Sequence, residues 1–224
     1  MTEQAKLTSA DGTELPGYLT RAQGGTNRGA VVVIHEWWGL TEQLRGVADR
    51  LAREGFTVFA PDLYRGRVTK DAAEAEKLMG AMDRRQAVQD ISRAVEALRR
   101  HAPGTKVAVL GFCMGGALTL AAAAHDGQVA AAVPFYGIPP EEAADVTKIR
   151  CPVLGHYANI DDWCSPDRVD ALEKKLKGAG VPAEIHRYDA GHAFFNEKRP
   201  EVYSPQNAEL AWKRTVEFLR AKLG

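Results

Sequence analysis

The sequence predicts an α/β fold with a mostly parallel central sheet and helices on both faces. Three observations carry this. Short apolar, β-branched runs alternate along the chain with longer segments at helical spacing. One run, Ala30-Val-Val-Val-Ile34, is apolar without a break, the pattern of a central strand buried on both sides. The segment Gly111-Phe-Cys113-Met-Gly115 turns a strand pattern directly into a small-residue helical one. No repeat, low-complexity tract or long linker interrupts the alternation, so residues 1–224 read as one domain without a large cap.

The elements follow in order. Residues 15–19 read as an early strand after the Asp11-Gly12 turn, and residues 30–35 as the buried one. Leucines and alanines at helical spacing predict a helix over 41–53, stopped by Gly55. A strand over 56–60 closes at Pro61-Asp62. Residues 69–82 are charged and helical, and a second helix over 85–101 is broken by Pro103-Gly104. Then come a strand (106–112), a helix (114–124), two strands (129–136 and 152–157), a helix (166–177) and a last strand (183–188). The closing helix, 206–223, places Trp212, Val216 and Leu219 on one face, with Phe218 beside them.

Composition narrows the function. A chain of 224 residues has room for a substantial core. Lys+Arg and Asp+Glu both number 29, so no net charge draws it to nucleic acid or to an anionic membrane. The polar start, Met1 to Lys6, is not that of a signal peptide, and no apolar run has the length of a membrane span. Three cysteines cannot all pair and match no zinc spacing, which points to a reducing cytoplasm.

The turn at Cys113 is the G-x-S-x-G nucleophile elbow of the α/β-hydrolase fold with cysteine in the serine position. The nucleophile there takes a strained backbone, and Gly111 and Gly115 remove side chains that would strike the neighbouring strand and helix. The sulfur then stands at a helix N-terminus, which favours a thiolate and a developing oxyanion. The structural reading of Cys113 as a core cysteine does not account for the glycines. Cys151, at a strand start, is read as structural, and Cys164 as a bystander or a pocket residue.

A thiol needs a base, and the base an orienting acid, in the chain order nucleophile, acid, histidine. His192, in Ala190-Gly-His-Ala-Phe194 just past the last strand, fits the base; His156 and His186 fall inside strands. Asp161 fits the acid, with Asp162 as its rival and Asp167 as a helix-cap candidate. The amides of Trp37 and Met114 are the natural oxyanion pair. Glu36, directly after the buried strand, is read as setting the charge of the thiol, against a plain solvated loop residue. Trp37 and Trp38 either line an apolar pocket or pack.

These residues resemble the dienelactone hydrolases (carboxymethylenebutenolidases) over nearly the whole chain. The matching motifs are His35-Glu-Trp-Trp-Gly39, Ala60-Pro-Asp-Leu-Tyr64, Gly111-Phe-Cys-Met-Gly-Gly116, Pro134-Phe-Tyr-Gly137, the Asp161 loop and Ala190-Gly-His-Ala-Phe194. The resemblance implies a Cys113-His192-Asp161 triad acting on lactones and related esters. It also implies that Glu36 contacts the resting thiol and helps form the thiolate when substrate arrives. The type enzymes bind the substrate carboxylate with arginines, one of them four residues after the histidine. Here that position is Asn196, which joins Glu36 and Trp38 as a candidate thiol-activating or substrate-binding residue. The 69–82 helix offers Lys70 and Lys77 but no arginine, so Arg65, Arg67 and Arg199 are the substitutes at hand. The segment 64–84 is expected to border the entrance. The expected partner is a small ester or lactone, with no metal or organic cofactor, in a monomer or small homo-oligomer. The rivals are a carboxylesterase or thioesterase with another substrate, a ligand-binding protein that does no chemistry, and a redox pair of Cys113 with Cys164.

Overall fold

The computed structural model describes residues 2–8, 11–25, 27–101 and 104–224, so Met1 and the predicted breaker Pro103 lie outside the described residues. Its strands are β1 (Thr2–Thr8), β2 (Glu14–Thr20), β3 (Ala30–Ile34), β4 (Thr57–Pro61), β5 (Val107–Phe112), β6 (Val129–Phe135), β7 (Val153–Ile160) and β8 (Ala183–Gly191). They form one eight-stranded sheet in the order β1-β2-β4-β3-β5-β6-β7-β8. β3 to β8 run parallel, and β1 and β2 add an antiparallel edge beyond β4. The six helices are α1 (Glu42–Arg53), α2 (Ala72–Ala81), α3 (Arg84–His101), α4 (Met114–His125), α5 (Pro166–Gly178) and α6 (Pro205–Leu223).

Alternation along the buried strands divides the core in two. Val32 and Val109 join α3, α4 and α5 on one face. Val31, Val33 and Leu110 join α1 and α6 on the other, where Trp212, Val216 and Leu219 point inward as the spacing predicts. This is the α/β-hydrolase fold, with no cap domain among the described residues. The strand order reverses at β3, whose parallel neighbours are β4 on one side and β5 on the other. In open α/β sheets a crevice forms outside the strand ends at such a switch.

Several boundaries differ from the expected ones, for physical reasons. β1 has no apolar signature, because its pairing with β2 is made by backbone groups. β7 and β8 run three residues further than the apolar pattern, to Ile160 and Gly191, since exposed positions pair as well as buried ones. α2 begins at Ala72, where the Asp71 side chain accepts from the Glu74 amide at 2.8 Å. Ser165, not Asp167, stands at the N-cap of α5, and Asp167 lies in its first turn.

Candidate active site

α4 begins on a strained residue. Cys113 has φ 54° and ψ −117°, a conformation its glycine neighbours permit. A Cβ on Gly115 would sit 2.5 Å from the Ile34 carbonyl oxygen, and one on Gly111 would run into the Gly115 carbonyl. Gly137, on the next strand end, is equally constrained: a Cβ there would fall on the Cys113 carbonyl oxygen. Tyr136 and Ala193 also have positive φ, so among the described residues three of the four non-glycine residues with positive φ cluster at this one place.

Sheet register assembles the rest. Ile34 pairs with Gly111 and Phe112 with Phe135, so the chain leaves β3, β5 and β6 at one level, placing Glu36, Cys113 and Tyr136 together. Ile160 pairs with Gly191, so the following residues, Asp161 and His192, stand side by side. His192 Nδ1 lies 2.7 Å from Asp161 Oδ2, and its Nε2 lies 3.2 Å from Cys113 Sγ. Asp161 Oδ1 accepts from the amides of Trp163 (2.8 Å) and Cys164 (2.9 Å). Burial works to raise this carboxyl pKa, but the His192 hydrogen bond and charge and the two amides outweigh it, leaving the pKa below the ordinary value. An ionised acceptor at Nδ1 keeps the imidazole proton there and turns a bare Nε2 to the sulfur. Asp162, the rival acid, is exposed to solvent.

Glu36 is 5% exposed and anchored by two donors. Tyr136 donates its hydroxyl to Oε1 at 3.2 Å, and Asn196 donates Nδ2 to Oε2 at 2.8 Å. No hydrogen bond joins Glu36 to the resting thiol among the described residues: that of Cys113 goes to His192. Burial raises the Glu36 pKa against these donors. Burial first, then the Glu36 charge, raise that of Cys113, while a hydrogen bond from the Met114 amide lowers it. A carboxylate beside the sulfur thus opposes the thiolate in this substrate-free geometry, whereas the activating role expected for it belongs to the substrate-bound state. His35, the residue before Glu36, is fully buried; its Nδ1 donates to the Glu36 carbonyl (2.6 Å) and its Nε2 accepts from Leu63 (3.2 Å), which holds the turn below the site.

Cys113 and His192 open onto a cavity of about 1050 Å³. Trp37, Trp163, Cys164 and Arg199 line it near the sulfur. Two expected substrate-binding residues do not. Asn196 is buried with its amide turned to Glu36, and Trp38 lies off the cavity wall with the Arg199 guanidinium 5.5 Å over its ring. Arg65 pairs instead with buried Asp90, Arg67 reaches Glu74 at 3.9 Å, and Lys70 and Lys77 point to solvent. Cys151 is buried away from the cavity. Tyr136 and Trp163 were given no site role from sequence: the first stood only inside the Pro134-Phe-Tyr-Gly137 motif, and the second was one more loop tryptophan. Among the described residues, no three His, Cys, Asp or Glu side chains gather to hold a metal ion, and no helix is long and apolar enough to cross a membrane.

Comparison with known proteins matches this architecture to one family. The family model for the dienelactone hydrolase family covers residues 15–223. Protein usf of Aquifex pyrophilus is 38% identical over 95% of this chain and 96% of its own length. A provisionally named carboxymethylenebutenolidase of Aquifex aeolicus is 35% identical over the same shares. The crystal structure of a provisionally named dienelactone hydrolase from Klebsiella pneumoniae superposes with a TM-score of 0.87 at 28% identity, covering 98% of both chains. With its elbow on β5, its parallel sheet and this full-length likeness, the chain belongs to the dienelactone hydrolase family.

Proposed function

We propose that this protein hydrolyses a carboxylic ester or lactone through a thioester on Cys113, with His192 as base and acid and Asp161 as its orienting partner. The observation that carries this reading is the pair of contacts Cys113 Sγ–His192 Nε2, 3.2 Å, and His192 Nδ1–Asp161 Oδ2, 2.7 Å. His192 takes the thiol proton as the sulfur attacks the carbonyl carbon. The developing oxyanion rests on the amides of Met114 and Trp37. His192 then gives its proton to the departing oxygen, and a water deprotonated by His192 cleaves the thioester. Every step uses the chain's own groups. In this reading Glu36 holds the resting sulfur protonated until a bound ester displaces the balance, and Tyr136 and Asn196 hold Glu36 in place.

The names of its relatives make dienelactone one natural probe, and Asn196 in place of an arginine favours a neutral ester or lactone as another. The three free thiols suit a reducing compartment. The deciding experiment is Cys113→Ala assayed with p-nitrophenyl acetate and with dienelactone. The expected loss in kcat is ~10³-fold or more, because only the oxyanion donors and binding remain. Undiminished turnover overturns the assignment. In the unmodified protein, an acyl adduct on the Cys113 peptide in a quenched reaction is the expected intermediate.

A further inference from the structure

We propose that the cavity is an acyl-chain site, and that the preferred substrates are esters of extended aliphatic acids, about eight to twelve carbons long by the length estimates used below. This rests on the Cys113 thioester reading and adds the substrate class to it.

The first observation is the composition of α4. From Met114 to Ala124 the helix carries no charged residue. Gly115, Gly116 and Thr119 account for its sheet side: Cβ atoms on the two glycines would meet backbone of β3 and β6, and Thr119 Oγ1 lies against Gly111. Met114, Ala117, Leu118, Ala121 and Ala124 form a second apolar stripe at helical spacing, and all five line the cavity. A helix apolar on both sides has something apolar to cover each side. On this side α3 packs over part of the stripe, where Leu118 and Ala121 are buried, and the cavity runs along the remainder.

The second observation is where the polar lining lies. Met79, Met82 and Val88 form one wall, and Ile138, Pro139 and Ala144 form the other. Of the charged lining residues, Arg84, Arg85, Glu142, Asp145, Lys148 and Arg168 are exposed to solvent and rim the trough, and half-buried Arg199 is the one charged side chain set deeper. The reacting sulfur and His192 stand at one end, and Gln89 and His125 at the other.

Size and direction then select the ligand. From Cys113 to Ala124 the helix rises about 16 Å at ~1.5 Å per residue. An extended carbon chain advances about 1.2 Å per bond, as an extended backbone does over its three bonds per residue, so the trough takes about a dozen carbons. A volume of about 1050 Å³ is at the upper end for drug-sized ligands, and a small bicyclic lactone leaves most of it empty. The chain is the acyl and not the alcohol portion, because the departing oxygen must face the proton on His192 Nε2. The acyl carbon stays on Cys113 Sγ, where the stripe begins.

The test is kcat/KM for p-nitrophenyl esters of straight-chain acids, from acetate upward, kept below micellar concentrations. A fully buried methylene raises kcat/KM about three- to fourfold, and one half-buried in an open trough about twofold. The expected profile gains about a hundredfold or more between two and ten carbons and turns down beyond about twelve, where the trough ends. Ala121→Trp, placed midway, moves the maximum to shorter chains. Ala124→Trp, at a partly buried position near the end of α4, trims only the longest and stands in if the first variant does not fold. A profile flat or falling from acetate, with turnover still dependent on Cys113, overturns this inference and leaves the cysteine mechanism standing. If no ester is turned over, the mechanism fails, and calorimetric titration with 2-butanone and 2-dodecanone decides the cavity by itself. One-to-one binding about a hundredfold tighter for the longer ketone, weakened by Ala124→Trp, supports the acyl-chain site; equal or absent binding overturns it.

Discussion

Burial and the neighbouring Glu36 charge both raise the Cys113 thiol pKa, while the Met114 amide lowers it. An ordinary thiol titrates near ~8.5, so the resting sulfur stays protonated at neutral pH. Neutralising Glu36 without changing its shape removes the largest raising cause after burial. Glu36→Gln is therefore expected to lower the thiol pKa, read as a downward shift in the pH profile of iodoacetamide alkylation at Cys113. An unchanged or upward-shifted profile refutes the charge argument. The same variant keeps acceptors and donors for Tyr136 and Asn196, since the Tyr136 hydroxyl can rotate to accept from the new amide. It also removes a buried charge whose pKa burial has raised. A carboxyl with a raised folded pKa loses stability as pH rises through the ordinary glutamate range, so Glu36→Gln is expected to melt higher than the parent at pH 7. A lower melting temperature there contradicts this.

At the scale of the element, the site depends on strand ends that finish at matched heights. The pairings Phe112 with Phe135 and Ile160 with Gly191 deliver four loops to one crevice. The close approach of β6 to the start of α4 makes this possible, and Gly137 is the residue that allows it. Gly137→Ala drives a methyl into the Cys113 carbonyl and the Ala117 amide. Backbone atoms cannot step aside as a side chain does, so about 1–3 kcal/mol of destabilisation is expected from urea unfolding, with reduced turnover. Gly127→Ala is the matched control: nothing lies within 4 Å of its Cβ, and a change within about 0.5 kcal/mol is expected. Equal effects at the two glycines argue against the steric account.

Over the whole molecule, acid finds a set of buried groups that resist protonation. His156 is fully buried on β7, with Nδ1 2.7 Å from the Tyr188 hydroxyl and Nε2 3.0 Å from Thr215 Oγ1. Burial, then His186 and Arg214, hold its pKa well below the ordinary histidine value. Burial lowers His35 as well. In the unfolded chain both take a proton near pH ~6.5, so the unfolded state binds more protons below that point and stability falls with pH. Asp161, depressed in the folded state, adds a further loss only below about pH 4. The melting temperature is expected to be level between about pH 7 and 8, to fall from about pH 6.5 downward, and to fall again above about pH 8.5, where unfolded thiols ionise and the folded ones, raised by burial, do not. His156→Phe is expected to melt lower at pH 7, with a shallower fall between pH 7 and 5. A slope as steep as the parent's excludes His156 as a source.

Much of this was legible because the chain writes it locally. Gly111, Cys113 and Gly115 lie within one turn, and their steric roles follow from covalent geometry alone. The order of strands and helices follows from periodicity, and Asp161 and His192 were found because each directly follows a strand. What sequence could not supply are contacts between residues whose separation along the chain says nothing of their distance. Glu36 meets Tyr136 and Asn196, 100 and 160 residues away, and those two donors, not the thiol, fix its carboxylate. β1 is held by backbone pairing that leaves no side-chain pattern. The trough along α4 was invisible because an apolar helix reads as buried, and only the packing of α2, α3 and the 138–144 loop leaves one of its sides partly open to a cavity. The sequence by itself determined the sheet, the elbow and the identity of the candidate triad, since those depend on local sterics and periodicity. The tertiary structure alone decided what Glu36 touches and how much room lies beside Cys113, since those depend on register and on which surfaces the helices leave open.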